Sequence, residues 1–477
     1  MSIPQESVAM PERQGRGRSH VVPHGRVRRA APLVGLAGRT AGEAVVASLR
    51  RRMGAGQDED FHVRAAERYA RTLGRSKGVL MKAGQILSFA AVGPAVPAEY
   101  RTIYQTTLAR LQDGAPPMPA DLAASVVEEE LGAAPARVFA EFDSEPLAAA
   151  SIGQVHGARL HDGRRVAVKI QYPGVEEAIR DDLRNTELLA TFFSLVRSLA
   201  PDLARADVRA LAREVADRIG EEIDYRAEAR NQAHFADAYR GHPFIHVPEV
   251  IPELSTRRVF TMERADGLRW PQALTADAGL RDRWGEAIFR FALGGLRRQR
   301  MFNADPHPGN YLFHEDGGVT FLDFGCVKRF EPRHVATMLA IVRAAVDGDA
   351  EALFRAASGA GLVDPADAPD PADLLAWFRE QFEPLLAPQP FTYTPEYAEA
   401  LIRSEYSPLG RYSQVTRKLS LQPEYLMITR IDLGVTAVLA GLRATGAWAA
   451  IRDEWDCDAP PGTPLGELDA AFWAART

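Results

Sequence analysis

An aspartate and an asparagine held on a proline-locked loop, with a strand ending in Asp-Phe-Gly soon after, constrain this chain more than any other feature. The run is Asp305-Pro306-His307-Pro308-Gly309-Asn310, followed by Val319-Thr320-Phe321-Leu322-Asp323-Phe324-Gly325. Prolines and a glycine favour a fixed loop, whereas β-branched and aromatic residues favour a short strand. Asp305 can orient a hydroxyl or a water, and Asn310 and Asp323 offer hard oxygen ligands for a Mg²⁺ that bridges phosphates. Each piece alone is weak, since an Asp-Pro loop is usually a turn. Their joint spacing on a loop and a strand end points to an ATP–metal site. His307, between two prolines, reads as a lock on the loop through hydrogen bonding.

The matching cation lies upstream. Arg165-Val166-Ala167-Val168-Lys169-Ile170 reads as a strand, and its alternation turns Lys169 toward a cleft. Only five of the 57 basic residues are lysine, so a retained lysine suggests a place where a planar guanidinium would not fit. Phosphoryl-transfer sites pair such a lysine with a helix glutamate. Glu221-Glu222-Ile223-Asp224-Tyr225-Arg226-Ala227-Glu228 offers several. Read as one helix, it places Asp224 and Glu228 on one face and Glu222 about 120° round from Glu228, in reach of Arg226. Spacing alone does not choose the partner of Lys169. The residues before the second strand, Ala148-Ala149-Ala150-Ser151, read as a loop over the phosphates. Alanines there resist positive φ, so that loop is expected to be stiffer than a glycine-rich one. Glu263, at the end of a later strand, joins Lys169 and residues 148–151 in the expected nucleotide set.

Along the chain, residues 1–37 form an Arg-rich stretch without periodicity and read as a disordered tail. A helical extension is expected over 38–135, interrupted by the linker of Pro116, Pro117 and Pro119 and resuming as a helix from about 120. Strands alternate over 138–171 with Asp162-Gly163 as a hairpin turn, and a helix is expected over about 176–240. Short strands follow near 246–250 and 257–262. A helical region then runs on, broken by the 303–310 loop and by strands near 311–313 and 319–322. Residues 365–398, rich in prolines and acids, read as a surface insertion. The apolar window Leu433–Ile451 reads as one packed helix. The fold class is α+β: a two-lobed protein kinase-like fold, with an N-lobe over 136–266, a helix-rich C-lobe over 267–477 and the helical extension in front.

Composition removes other classes. A net charge of −6 gives no global basic field for nucleic acid. Two cysteines, Cys326 and Cys457, make no disulfide framework and suit a reducing setting. No uncharged apolar run reaches the roughly 18 residues of a spanning helix, and the N-terminus lacks a signal-peptide core. A cytoplasmic protein is expected, with any membrane contact peripheral. Arg26, Arg28, Arg29 and Arg50–Arg52 could touch anionic lipid, although a solvated tail is the favoured reading.

With these residues in place, the chain resembles the UbiB/AarF atypical kinases, whose eukaryotic members support coenzyme Q biosynthesis. The resemblance covers roughly residues 65–345. It rests on Lys82-Ala83-Gly84-Gln85, Leu111-Gln112-Asp113, the alanines at 148–150 and Glu222-Ile223-Asp224. It implies that Lys82, Gly84 and Gln85 sit over the active site, that Glu222 and Asp224 hold that extension, and that Glu228 partners Lys169. It implies ATP and Mg as cofactors, ATPase-like activity in place of protein phosphorylation in trans, and prenyl-lipid intermediates or lipid-biosynthesis enzymes as partners. Two other readings compete: a small-molecule phosphotransferase, and a nucleotide-gated lipid-binding scaffold without turnover.

Overall fold

The computed structural model describes residues 118–150, 152–184, 223–303, 306–406, 410–420 and 423–476. The Arg-rich tail, the part of the helical extension before residue 118 with Lys82, Gly84 and Gln85, and the residues Ser151, Glu222 and Asp305 lie outside the described residues.

A small antiparallel sheet is built by β1 (Glu141–Ala150), β2 (Gly153–Arg159), β3 (Arg165–Gln171) and, after a two-residue β4 (Ile245–His246) that belongs elsewhere, β5 (Val259–Glu263). The β2–β3 hairpin turns at Asp162-Gly163, where Gly163 adopts φ 92° and Asp162 Oδ1 accepts the Arg164 amide at 3.0 Å. Period-two alternation sorts β3. Val166, Val168 and Ile170 point to one face, where Ala123, Val126 and Val127 of the helix Ala120–Leu131 cover them with Phe139 and Val259. Lys169 and Gln171 point to the other face. There the helix Tyr225–Ala238 packs on the sheet. Its start is fixed by Asp224, whose carboxylate caps the Arg226 amide.

The expected continuous helix over 176–240 is therefore corrected. A helix spans Val175–Arg184, and a separate one begins at Tyr225, because Asp224 is extended and acts as a cap.

The helical lobe is organised on the 22-residue helix Ala278–Gln299. Trp284, Ile288, Phe289 and Phe291 of this helix enter a large aromatic core with Phe313, Phe321 and Phe324. Two short ladders lie on it: β6 (Met301–Asn303) with β9 (Val327–Arg329), and β7 (Tyr311–Phe313) with β8 (Val319–Phe321), which β4 joins in parallel. These ladders hold the ends of both loops singled out above. One loop connects β6 to β7 and the other connects β8 to β9.

Two further expectations change. Residues 365–398 are no loose insertion. Leu374 and Trp377 of the helix Pro371–Gln381 are buried against the helices Pro332–Asp347 and Ala350–Gly359. The acids and prolines that made the stretch look like loop are its caps: Asp364 and Asp370 accept the Ala366 and Ala372 amides, each with proline at the first helical position. The window Leu433–Ile451 is two helices, Pro423–Leu442 and Trp448–Asp456, because Arg443 turns the chain with φ 52° and Thr445-Gly446 pairs with Phe391-Thr392. Among the described residues, no helix is long and apolar enough to cross a membrane.

Candidate active site

Lys169 reaches from β3 to Glu228 in the first turn of the helix Tyr225–Ala238. Its Nζ lies 2.8 Å from each carboxylate oxygen. Side-chain exposures of 11% and 6% put this pair in the buried class, where geometry and partners decide its energy. Glu228 also sits at the positive end of its helix. The Tyr225 ring lies beneath the ammonium, 5.1 Å from Nζ to centroid. Burial works against the charged lysine, but Glu228 and then Asp323 outweigh it, and the ammonium is held above its ordinary value. Burial likewise pushes the Tyr225 hydroxyl up, with Lys169 opposing.

The opposite wall is built by the two loops. The Asn310 carbonyl accepts the Leu322 amide at 3.0 Å, which sets the end of the 306–310 loop against the residue before Asp323. Asn303 Nδ2 donates to the Asp323 carbonyl at 2.6 Å, and Asp323 Oδ1 accepts the Gly325 amide at 2.9 Å. His307 Nδ1 accepts the Gly309 amide at 3.0 Å, so this histidine shapes its own loop. Phe324 is fully buried, with ring centroids 5.0 Å from Phe235 and 6.4 Å from Phe291. Asn231 Nδ2 donates to its carbonyl at 3.2 Å. Phe235 and Asn231 both belong to the Glu228 helix. The Asp-Phe-Gly segment is thereby fastened to the element that carries the lysine's partner. A Cβ placed on Gly325 would lie 3.2 Å from Asp323 Oδ1 and 3.7 Å from Glu228 Oε2, so these acids converge on one point.

Other expected residues fall differently. Ala148, Ala149 and Ala150 are not a loop: they end strand β1, paired with Val155, Gln154 and Gly153. Small alanines at the hairpin end extend the ladder because nothing in them demands positive φ. Asp224 does not share a helix face with Glu228. It caps the helix and pairs with Arg226 Nη2 at 2.6 Å, taking the partner expected for Glu222. Glu263 is exposed at the end of β5, opposite Val166, where the chain leaves the sheet for the helical lobe.

Four residues at the site were not singled out from sequence. Tyr225 and Asn231 look like ordinary helix positions, and Asn303 like a loop residue. Gly153 follows Ile152 as a plain turn glycine would. Its real constraint is contact: a Cβ there would overlap the Ile170 carbonyl oxygen and lie 2.8 Å from the Tyr225 hydroxyl. The signal available was proximity in sequence, since Asn303 and Tyr225 sit within a few residues of Asp305 and Glu228.

A small sheet with a lysine paired to a helix glutamate, set over a helical lobe that presents two anchored loops, defines a kinase-like protein. Residues 110–357 match the ABC1 atypical kinase-like domain, and the chain belongs to that family. It is 34% identical over 296 residues to Protein ACTIVITY OF BC1 COMPLEX KINASE 8, chloroplastic, of Arabidopsis thaliana, covering 60% of this chain and 38% of that one. It is 33% identical over 355 residues to Atypical kinase COQ8B, mitochondrial, of Rattus norvegicus, covering 72% and 65%. The chain thus spans between about two fifths and two thirds of these relatives' lengths. Among solved structures, it is similar to Rv3197 of Mycobacterium tuberculosis in complex with erythromycin, with TM-score 0.59 and 30% identity over 87% of this chain and 98% of that one.

Proposed function

We propose that this chain binds ATP with Mg²⁺ and turns it over as an atypical kinase or ATPase serving ubiquinone or other isoprenoid-lipid metabolism. The observation that carries the reading is the buried Lys169–Glu228 pair converging with Asp323. A scaffold without nucleotide chemistry has no need to hold an ammonium in that place. Lys169 would bind and orient the phosphates while Glu228 keeps it charged and aimed. Asp323 and Asn310 fit Mg²⁺, because this ion takes one or two hard protein oxygens and completes its shell with phosphate and water. Among the described residues, no cluster of three or more acid, histidine or cysteine ligands competes with that assignment. When bound, the ion would neutralise phosphate charge. Asp305 would orient the attacking hydroxyl or water. Lys82, Gly84 and Gln85, with Glu222 and Asp224 behind them, would cover the site and disfavour protein substrates.

The lipid assignment rests on the named relatives, and contact with an anionic membrane surface belongs to the same proposal. The test is Mg²⁺-dependent ATP hydrolysis by the purified chain, with and without anionic vesicles containing a quinone-precursor mimic. Asp323→Asn is expected to remove turnover. Unchanged hydrolysis in that variant would overturn the reading.

A further inference from the structure

The helix Pro423–Leu442 lies well past the matched kinase-like segment, yet it touches the loop on which the chemistry depends. Gly434 is buried in this helix, and the ring of Pro306 is seated directly on it. A Cβ on Gly434 would overlap Pro306 Cγ and stand 3.4 Å from its Cβ and Cδ. Pro306 is bonded to Asp305 through its ring nitrogen. It also opens the short segment ending at Asn310, whose carbonyl takes the Leu322 amide beside Asp323.

The helix itself has little freedom to retreat. Its neighbours Ile431, Val435, Val438 and Leu439 are buried in the aromatic core. Further along, a Cβ on Gly441 would stand 2.6 Å from Trp270 Cζ2. Just past its end, Ala444 packs on Gly285 of the helix Ala278–Gln299, where an added Cβ would overlap it. Glycine inside a helix costs roughly 0.5–1 kcal/mol relative to alanine, so its presence at 434 calls for a packing reason. Pro306 supplies one.

We propose that Gly434 is a positioning residue for the 306–310 loop: the helix Pro423–Leu442 forms the floor on which Pro306 rests, and the bare glycine sets that floor's height. The inference builds on the proposed ATP–Mg²⁺ reading for its kinetic consequence, but the contact stands apart from it. A methyl at 434 would lift the loop and displace Pro306 and Asn310 relative to Asp323, while Lys169 and Glu228, on the other wall, stay in place. Misplacement by about an ångström costs on the order of 10²-fold in rate.

The experiment compares Gly434→Ala with Gly441→Ala in the full chain. Both add a methyl to the same helix against a ring, so both are expected to lower the unfolding temperature. Only Gly434→Ala is expected to lower kcat, by tenfold or more, with the KM for ATP changed less than threefold. Only it is expected to raise hydrogen exchange in the peptide spanning 301–313. Adding Pro306→Ala to Gly434→Ala removes the overlapping Cγ and is expected to restore part of the protection. Equal kcat losses in the two single variants, or unchanged exchange at 301–313 in Gly434→Ala, would overturn the proposal. A wild-type chain that hydrolyses no ATP would instead sink the functional reading, and the exchange comparison would still decide the contact.

Discussion

The ammonium of Lys169 is the residue on which the two walls of the site agree. Glu228 holds it from the helix and Asp323 attracts it from the loop. Its raised folded pKa means that its contribution to stability is complete below the ordinary lysine value and is lost only as pH climbs through the folded one. The pair is therefore intact throughout the neutral range. Glu228→Ala strands a buried cation, so we expect a loss of about 3–5 kcal/mol in urea unfolding at neutral pH. A loss under about 1 kcal/mol would place the pair among surface bridges. Lys169 and Asp323 were legible because each stands in a patterned stretch, an alternating strand and a strand end. The partner glutamate was legible only through the family resemblance, which named Glu228 correctly, and not through spacing. Asp224 shows the same charge as Glu228 four positions on, and nothing in the letters says that one caps the helix and the other lies inside it.

At the scale of elements, the β1–β2 hairpin shows how a local rule was applied to the wrong backbone. The alanines were expected to form a stiff loop, whereas they lengthen β1 and leave the tight approach to Gly153. That glycine is needed because β3 and the Tyr225 hydroxyl come too close for a side chain. Gly153→Ala should force the hairpin from β3, at about 1–3 kcal/mol for overpacking and more if the ladder breaks. The check is thermal unfolding beside ATP affinity: both are expected to fall, and an unchanged unfolding temperature would show that the hairpin can yield. The same scale explains the misread segments at 365–398 and 433–451. Proline and aspartate mark both loops and helix starts, and a single left-handed arginine at 443 divides an apolar run that periodicity reads as continuous. The ladders β6–β9 and β7–β8 were partly legible as short strands, but their pairing was not, because three-residue strands carry no register signal.

Across the whole molecule, the last helix, Pro464–Ala474, and the residues just after it return to the element that carries Glu228. Arg476 donates to the carbonyls of Arg240 and Asp237 at 2.7 and 2.8 Å, meeting the chain where the Tyr225–Ala238 helix ends. Next to it, Asp469 accepts from His242 Nε2 at 3.0 Å, Trp473 Nε1 at 2.9 Å and Arg298 Nη2 at 2.9 Å. His242 Nδ1 accepts the Ile245 amide, which leaves Nε2 as the donor, and burial holds this ring below the usual histidine value. These partners are separated by up to 227 residues in sequence, so no local pattern announces them. Burial raises the Asp469 carboxyl, but the bond from His242 and the arginines outweigh it and hold it below the ordinary range. A depressed carboxylate contributes stability above its unfolded pKa and loses it as pH falls through the folded one. Asp469→Asn should therefore cost about 1–3 kcal/mol at pH 7, since Arg298 loses its carboxylate partner while the buried Arg290 keeps Glu286 and Glu454. The gap to wild type should narrow as the pH is taken below about 4. Urea unfolding at a series of pH values reads both. A gap that stays constant into acid would mean that the asparagine fails through shape alone, and that charge does not fasten the C-terminal helix to the helix of Glu228.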